Sequence, residues 1–273
     1  MQTIHCKGMP IDFSTPKVMG ILNITPDSFF DGGSYKNEKD ILTKVEKMLA
    51  DGATFIDVGA YSSRPNAPHI SEKEELKRIL PVIDLLVQNF PNILISVDTF
   101  RSKVAEQTVK KGAAMINDIS GGKMNDTMFS MIAKLQVPYI LMHMLGTPQT
   151  MQQQPVYKDV IKEVLTFFTK QLSKLHKLHV KDVIIDVGFG FGKTIEHNYE
   201  LLRNLSKFTN LHVPILAGVS RKSMLYKPLN CTPQEALNAT TVANTIALVN
   251  GANILRVHDV KEAVEAVKIV GCL

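Results

Sequence analysis

The sequence predicts a closed α/β barrel of the (β/α)8 kind, and three observations carry that expectation. Eight short, nearly continuous apolar runs recur along the chain, eight amphipathic helical stretches alternate with them, and a polar or glycine-rich cluster follows each run. Runs of this length, often β-branched and without polar alternation, are how parallel strands covered on both faces read. A doubly wound sheet alternates in the same way, so the count favours the barrel without proving it.

The elements follow in order. Residues 1–16 read as an N-terminal hairpin around Gly8-Met9-Pro10 that caps the barrel floor, and 17–273 read as the barrel, so that 1–273 form one domain. Strands are expected at 17–22, 54–58, 93–97, 114–116, 138–142, 183–186, 214–217 and 253–257. Helices are expected at 38–51, 71–88, 101–111, 126–134, 158–178, 198–208, 233–249 and 260–270. Ser71 followed by Glu74 is a start signal, and Gly52, Gly112 and Gly251 are stop signals. Repeats, low-complexity tracts and Pro/Gly/Ser-rich linkers are absent from the sequence.

Composition narrows the class. The chain has 273 residues, 45% hydrophobic and 21% charged, with a formal net charge of +5. That balance excludes a disordered chain or a coiled coil, and no apolar stretch approaches the roughly 20 residues of a membrane span. His5, Lys7, Asp12 and Lys17 interrupt the start, where a secretory leader would be apolar. Cys6, Cys231 and Cys272 stand far apart without a CxxC, which argues for reduced thiols and a cytoplasmic location. Basic residues are dispersed and the aromatics form no stacking series, so neither nucleic acid nor membrane is an expected partner.

The clusters that follow the strands carry the chemistry. They are Asn23-Ile-Thr-Pro-Asp-Ser-Phe-Phe-Asp-Gly-Gly33, Asp57-Val-Gly-Ala-Tyr-Ser-Ser-Arg-Pro65, Asp98-Thr99, Asn117-Asp-Ile-Ser-Gly-Gly122, Met142-His-Met-Leu-Gly146, Asp186-Val-Gly-Phe-Gly-Phe-Gly-Lys193, Gly218-Val-Ser-Arg-Lys222 and Arg256-Val-His-Asp259. In a barrel all C-terminal strand ends face one rim, so the eight converge. Any one of them is explained as a helix cap or turn; eight together are not. Gly188-Phe-Gly-Phe-Gly-Lys193-Thr194 imitates a P-loop but is one residue short of it, and Lys193 occupies the third glycine position of G-x-G-x-x-G.

Six of these motifs, in order from the first strand to the eighth, resemble the dihydropteroate synthase family: the Asn23–Gly33 cluster, Ser63-Arg64-Pro65, Asn117–Gly122, Gly188–Lys193, Ser220-Arg-Lys222 and Arg256-Val-His258. The resemblance implies condensation of 6-hydroxymethyl-7,8-dihydropterin diphosphate with p-aminobenzoate, the ligand that sulfonamides imitate, giving 7,8-dihydropteroate and diphosphate. It further implies pterin binding by Asp98, Asn117, Asp186, Lys222 and Arg256, with Met142, Phe191 and Gly218 as walls. The donor-rich pterin edge asks for carboxylate acceptors, and an amide suits a mixed edge. Asn23, Arg64, Arg256 and His258 resemble the family's diphosphate site, with Mg²⁺ shared between Asn23 and the phosphates. For p-aminobenzoate the resemblance implies Phe29, Ser63, Pro65, Lys222 and Ser223, with Asp27 and Asp31 ordering the first loop. The implied path is SN1-like, with electrostatic stabilisation of the leaving diphosphate and no triad or Schiff base. A homodimer is common in the family, and the stretches 233–249 and 260–270 have apolar faces to serve one.

Departures from the family pattern are Val187 for Pro and Tyr61-Ser-Ser-Arg-Pro-Asn66 where Glu-Ser-Thr-Arg-Pro-Gly is common. Three rival readings share the fold: a pterin-binding methyltransferase domain, a non-catalytic pterin-binding paralogue, and a lysine-imine aldolase using Lys222.

Overall fold

The computed structural model describes residues 2–24, 35–62, 68–151 and 155–273. Strands β1 (Thr3–Cys6) and β2 (Met9–Asp12) pair antiparallel with Cys6 opposite Met9. The turn between them is Lys7-Gly8, both at positive φ (49° and 76°), the backbone of a two-residue hairpin. Met9 and Pro10, expected in the turn, belong to the second strand.

Eight parallel strands then close into a barrel: β3 (Lys17–Asn23), β4 (Phe55–Gly59), β5 (Ile95–Asp98), β6 (Met115–Asp118), β7 (Tyr139–Met142), β8 (Val183–Asp186), β9 (Ile215–Ala217) and β10 (Ile254–Val257), with β10 pairing back onto β3. The barrel expectation holds, each strand lying within two residues of its expected limits. Outside run α1 (Tyr35–Ala50), α2 (Glu72–Asn89), α3 (Ser102–Lys110), α4 (Met128–Leu135), α5 (Val160–Lys177), α6 (Ile195–Arg203), α7 (Ser223–Tyr226), α8 (Leu237–Val249) and α9 (Val260–Val270).

The first helix begins three residues before its expected start and the short α7 was not expected; two further helices differ for local reasons. The stretch 198–208 starts earlier, because Thr194 caps α6 by accepting from the His197 N–H at 3.2 Å. It then breaks at Asn204, whose side chain donates to the Glu200 carbonyl (2.9 Å) and competes with the helix ladder; a 3₁₀ segment, Leu205–Leu211, follows. In 233–249, Pro233 opens a 3₁₀ turn inside a Thr232/Glu235 capping box, and the α-helix begins only at Leu237. Ser71 caps α2 as expected, accepting from Glu74 N–H at 3.2 Å.

The apolar strand runs conceal a period of two. Val18, Ile56, Val58, Ile95, Ile116, Leu141, Ile185 and Leu255 pack outward with the helices, whereas Met19, Phe55, Met115, Ile140, Ile184, Leu216 and Ile254 pack with Ile4, Cys6 and Phe13 of the N-terminal hairpin. The hairpin therefore seals the N-terminal end of the barrel, and the inward positions above that plug are left to line its mouth. Among the described residues, no helix is long and apolar enough to cross a membrane.

Candidate active site

Adding two residues to each plug position stays on the same face of the strand and climbs toward the mouth. Phe55 leads to Asp57, Met115 to Asn117, Ile140 to Met142, Ile184 to Asp186, Leu216 to Gly218 and Ile254 to Arg256. Register aligns the neighbouring ends: Asn23 pairs with Gly59, Gly59 with Asp98, and Asp98 with Asn117.

The centre of this layer is Asp57, fully buried, a residue to which the sequence reading gave no role. Its Oδ2 accepts from Arg256 Nε at 2.6 Å and from Asn117 Nδ2 at 3.1 Å. Arg256 Nη2 also donates to Asp98 Oδ2 at 3.3 Å. The guanidinium, expected at both the pterin and the diphosphate, is clamped inside the mouth between two acids, 199 and 158 residues away along the chain. Asp57 Oδ1 and Asn117 Oδ1 are buried without a hydrogen-bond partner. Leaving such acceptors unpaired is costly, which marks them as seats for a ligand's N–H donors.

On the opposite side, Asp186 Oδ1 accepts from the Gly188 N–H at 2.7 Å, and Lys222 Nζ donates to the Phe189 carbonyl while lying 4.8 Å from the centre of the Phe191 ring. A Cβ on Gly218 would stand 3.7 Å from Asp186 Oδ2, 3.8 Å from Lys222 Nζ and 3.9 Å from Arg256 Cβ. One on Gly59 would stand 3.7 Å from both Asn23 Oδ1 and Asp98 Oδ2. The two glycines keep open the space that these polar groups surround.

Burial dominates the electrostatics. It pushes the Asp98 carboxyl up to about 8, reinforced by the Asp57 charge and opposed by Arg256. It raises Asp186 too, against the pull of Lys222. The Lys222 ammonium is brought down to about 8 by burial, with Asp186 opposing. Arg256 rises because Asp57 and Asp98 outweigh its own desolvation. Three acids facing two bases suit an uncharged, donor-rich ring better than an anion.

The remaining expected residues lie around this floor. Met142 is buried in an apolar wall with Tyr61, Phe100, Ile119, Met144 and Met151, and Phe191 is at its edge. His258 is exposed at the rim, its Nδ1 3.0 Å from Ser220 Oγ. Desolvation of the ring side that faces the protein, then the Arg256 charge, lowers its imidazole to about 4. Ser223 opens α7 directly after Lys222. Phe29, Ser63, Arg64 and Pro65, with Asp27, Asp31 and Asn66, lie outside the described residues.

Sequence reasoning noted Tyr61 as a departure without giving it a role. Its hydroxyl accepts from Gln149 Nε2 at 2.8 Å and lies 3.1 Å from His69 Nδ1. Arg101, paired with buried Glu75, donates to the Ile70 carbonyl at 2.6 Å and lies over the Tyr61 ring at 5.6 Å. Both sides of the 63–67 stretch are therefore tied to the barrel.

An eight-stranded barrel whose mouth buries acids, an amide, a lysine and an arginine around an open floor has the build of the pterin-binding enzymes, and the family model described as "Pterin binding enzyme" matches residues 19–258. The chain is 43% identical over 269 residues to the dihydropteroate synthase of Escherichia coli strain K12, covering 98% of this chain and 95% of that protein. A Yersinia pestis dihydropteroate synthase solved with a sulfonamide drug superposes with a TM-score of 0.92 at 41% identity, covering 99% of this chain and 98% of that one. The Xanthomonas albilineans dihydropteroate synthase solved with 4-aminobenzoic acid gives 0.91 at 35% identity, covering 99% and 97%. The chain belongs to the dihydropteroate synthases, transferases of folate synthesis.

Proposed function

We propose that the mouth binds 6-hydroxymethyl-7,8-dihydropterin diphosphate through its pterin ring and passes the methylene to p-aminobenzoate, releasing diphosphate. The observation that carries this reading is the pair of orphaned buried acceptors, Asp57 Oδ1 and Asn117 Oδ1, beside Asp98 and Asp186. They ask for a flat ligand with several N–H donors, which the pterin edge supplies. Lys222 serves the acceptor side of the ring, with Met142, Phe191 and Gly218 as walls.

The electron pair of the methylene C–O bond leaves with the diphosphate, and the pterin ring delocalises the cation left on the methylene. The neutral arylamine then forms the C–N bond and gives up its proton to solvent. The residues assist by holding charge where it develops. Arg256, fixed by Asp57, stands between pterin and diphosphate, and His258 at the rim, together with Arg64, serves the diphosphate. The relatives solved with 4-aminobenzoic acid and with a sulfonamide drug support a p-aminobenzoate seat at the same mouth, formed by Phe29, Ser63, Pro65, Lys222 and Ser223.

The donor set fits Mg²⁺ in one manner. Among the described residues no cluster of three or more His, Cys, Asp or Glu side chains is suited to a metal, whereas the Asn23 amide oxygen faces the open floor beside Asp98. Asn23 with diphosphate and water oxygens would hold the ion, which when bound neutralises charge on the leaving group. The three free cysteines support a cytoplasmic setting. Val242, Ile246 and Val249, exposed on α8, support a homodimer; a Val242→Glu/Ile246→Glu double variant should then sediment as a monomer.

The test is diphosphate release from the pterin diphosphate with Mg²⁺, with and without p-aminobenzoate. Turnover that requires p-aminobenzoate and collapses in Arg256→Ala supports the reading. Pterin binding with no diphosphate under any condition would sink it in favour of the methyltransferase or non-catalytic reading.

A further inference from the structure

Lys193 is only 3% exposed, yet none of its hydrogen-bond partners is a carboxylate. Its Nζ lies 2.9 Å from the Gly188 carbonyl, 3.0 Å from that of Phe191, 3.3 Å from that of His143 and 3.0 Å from His143 Nδ1. Burying an amino group is costly unless its N–H donors find acceptors, and here four acceptors converge on one Nζ. Burial also lowers the His143 imidazole to about 2, which keeps the ring neutral, so that in the Nε2–H tautomer Nδ1 accepts from Lys193.

The acceptors join two neighbouring loops, the one after β7 and the turn after β8. The turn runs through Gly188, Gly190 and Gly192 at φ of 70°, 80° and 63°, a conformation that side chains resist. It also lies flush against the other loop: a Cβ on Gly192 would come within 2.5 Å of the Leu145 carbonyl, and one on Gly188 would run into that of His143. Lys193 bonds the inner side of this turn, and the outer side faces the mouth. There Gly188 N–H holds Asp186, the Phe189 carbonyl holds Lys222, Phe191 lies beneath the Lys222 ammonium, and Gly190 leaves room for the Lys222 stem, 3.3 Å from where a Cβ would be.

We propose that Lys193 is a positioning residue for the pterin site: by tying three carbonyls and the His143 ring together it fixes the 188–192 turn, whose backbone aims Asp186 and Lys222 at the ring. Lys193 touches no substrate; it acts through the turn, and the proposal rests on the reading that Asp186 and Lys222 contact the pterin. The Asp186 charge is the main influence opposing the burial that pulls down the Lys193 ammonium, as expected for two groups placed on either side of one turn.

The test is Lys193→Met, which keeps an unbranched apolar stem one atom shorter and removes its donors. Calorimetry with 6-hydroxymethyl-7,8-dihydropterin diphosphate, on protein shown folded by near-ultraviolet circular dichroism, gives the Kd, and steady-state kinetics give separate KM values for the two substrates. The expected result is pterin Kd and KM raised about 10- to 100-fold, the range that a small misplacement of binding groups costs, with the p-aminobenzoate KM raised by a smaller factor because Lys222 also lines that seat. A folded Lys193→Met protein with a lowered Tm and unchanged pterin constants would overturn the proposal, since that is what a purely structural lysine gives. Where Lys193→Met does not fold, His143→Leu decides: it removes one acceptor, should weaken pterin selectively by a smaller factor, and unchanged constants there overturn the proposal equally. Absence of pterin binding by the wild type would overturn the underlying reading of the mouth as well, which separates the two failures.

Discussion

The two ends of the barrel use the same strands for opposite purposes. At the N-terminal end the inward positions are Met19, Phe55, Met115, Ile140, Ile184, Leu216 and Ile254, closed over by Ile4, Cys6 and Phe13. Two residues on, about 7 Å along each strand, the inward positions include Asp57, Asn117, Asp186 and Arg256, with two acceptors unpaired. The lower layer gains stability from apolar burial. The upper layer gives some up, holding charges out of water in readiness for a ligand. What separates a stabilising residue from a binding one here is a single step of the strand repeat.

The largest expected effect breaks the lower layer. Phe55→Ala should cost about 3–5 kcal/mol of unfolding free energy, read from denaturant melts, while the folded fraction keeps its pterin KM. Next, Asp57→Ala should lower kcat/KM about 30- to 1,000-fold, because it removes the closer of the two acids that hold Arg256 and the acceptor of the Asn117 amide, and its melting temperature should fall less than that of Phe55→Ala. The reverse ordering of the two melting temperatures would refute the division between the ends.

A pH experiment sharpens the same contrast. With its pKa raised to about 8 in the folded chain against an ordinary carboxylate value near 3.8, Asp98 binds its proton more tightly folded than unfolded. Its contribution to stability is therefore fully present below about pH 4 and declines as pH climbs to 8. Melting temperatures of the ligand-free protein between pH 5 and 8 should fall more steeply for wild type than for Asp98→Asn. Pterin donors favour the ionised acid, so binding at pH 7 should release protons into the buffer, and less so in that variant. Calorimetry in two buffers of different ionisation enthalpy reads this directly.

The smallest effect belongs to the wall above the mouth. Tyr61→Phe removes the hydroxyl that joins Gln149 and His69, a loss of about 0.5–1.5 kcal/mol per hydrogen bond. The p-aminobenzoate KM should rise about 2- to 10-fold with the pterin Kd unchanged. A pterin Kd that moved as far would mean that the wall and the floor act as one unit.

Alternation of apolar runs with amphipathic stretches was enough to predict eight strands and the closed barrel, because both features are local. Asp98, Asn117, Asp186, Lys222 and Arg256 were legible as site candidates, since a polar residue ending an apolar run faces the rim and the motifs around them resemble one family. The short helix Ser223–Tyr226 and the break at Asn204 were not, because hydrogen bonds of a few residues decide them.

By itself, then, the sequence determined the order of elements, the rim on which the chemistry gathers and the family to which the chain belongs. Only the tertiary structure decided which apolar residues plug the barrel, that Arg256 is held by Asp57, and that Lys193 lies beneath the glycine turn rather than in solvent. The physical reason is the same in each case. A run buried on both faces shows no period in its composition, so inward and outward positions are distinguished only when the barrel closes. Closure also sets the register that brings residues 199 apart within hydrogen-bonding distance.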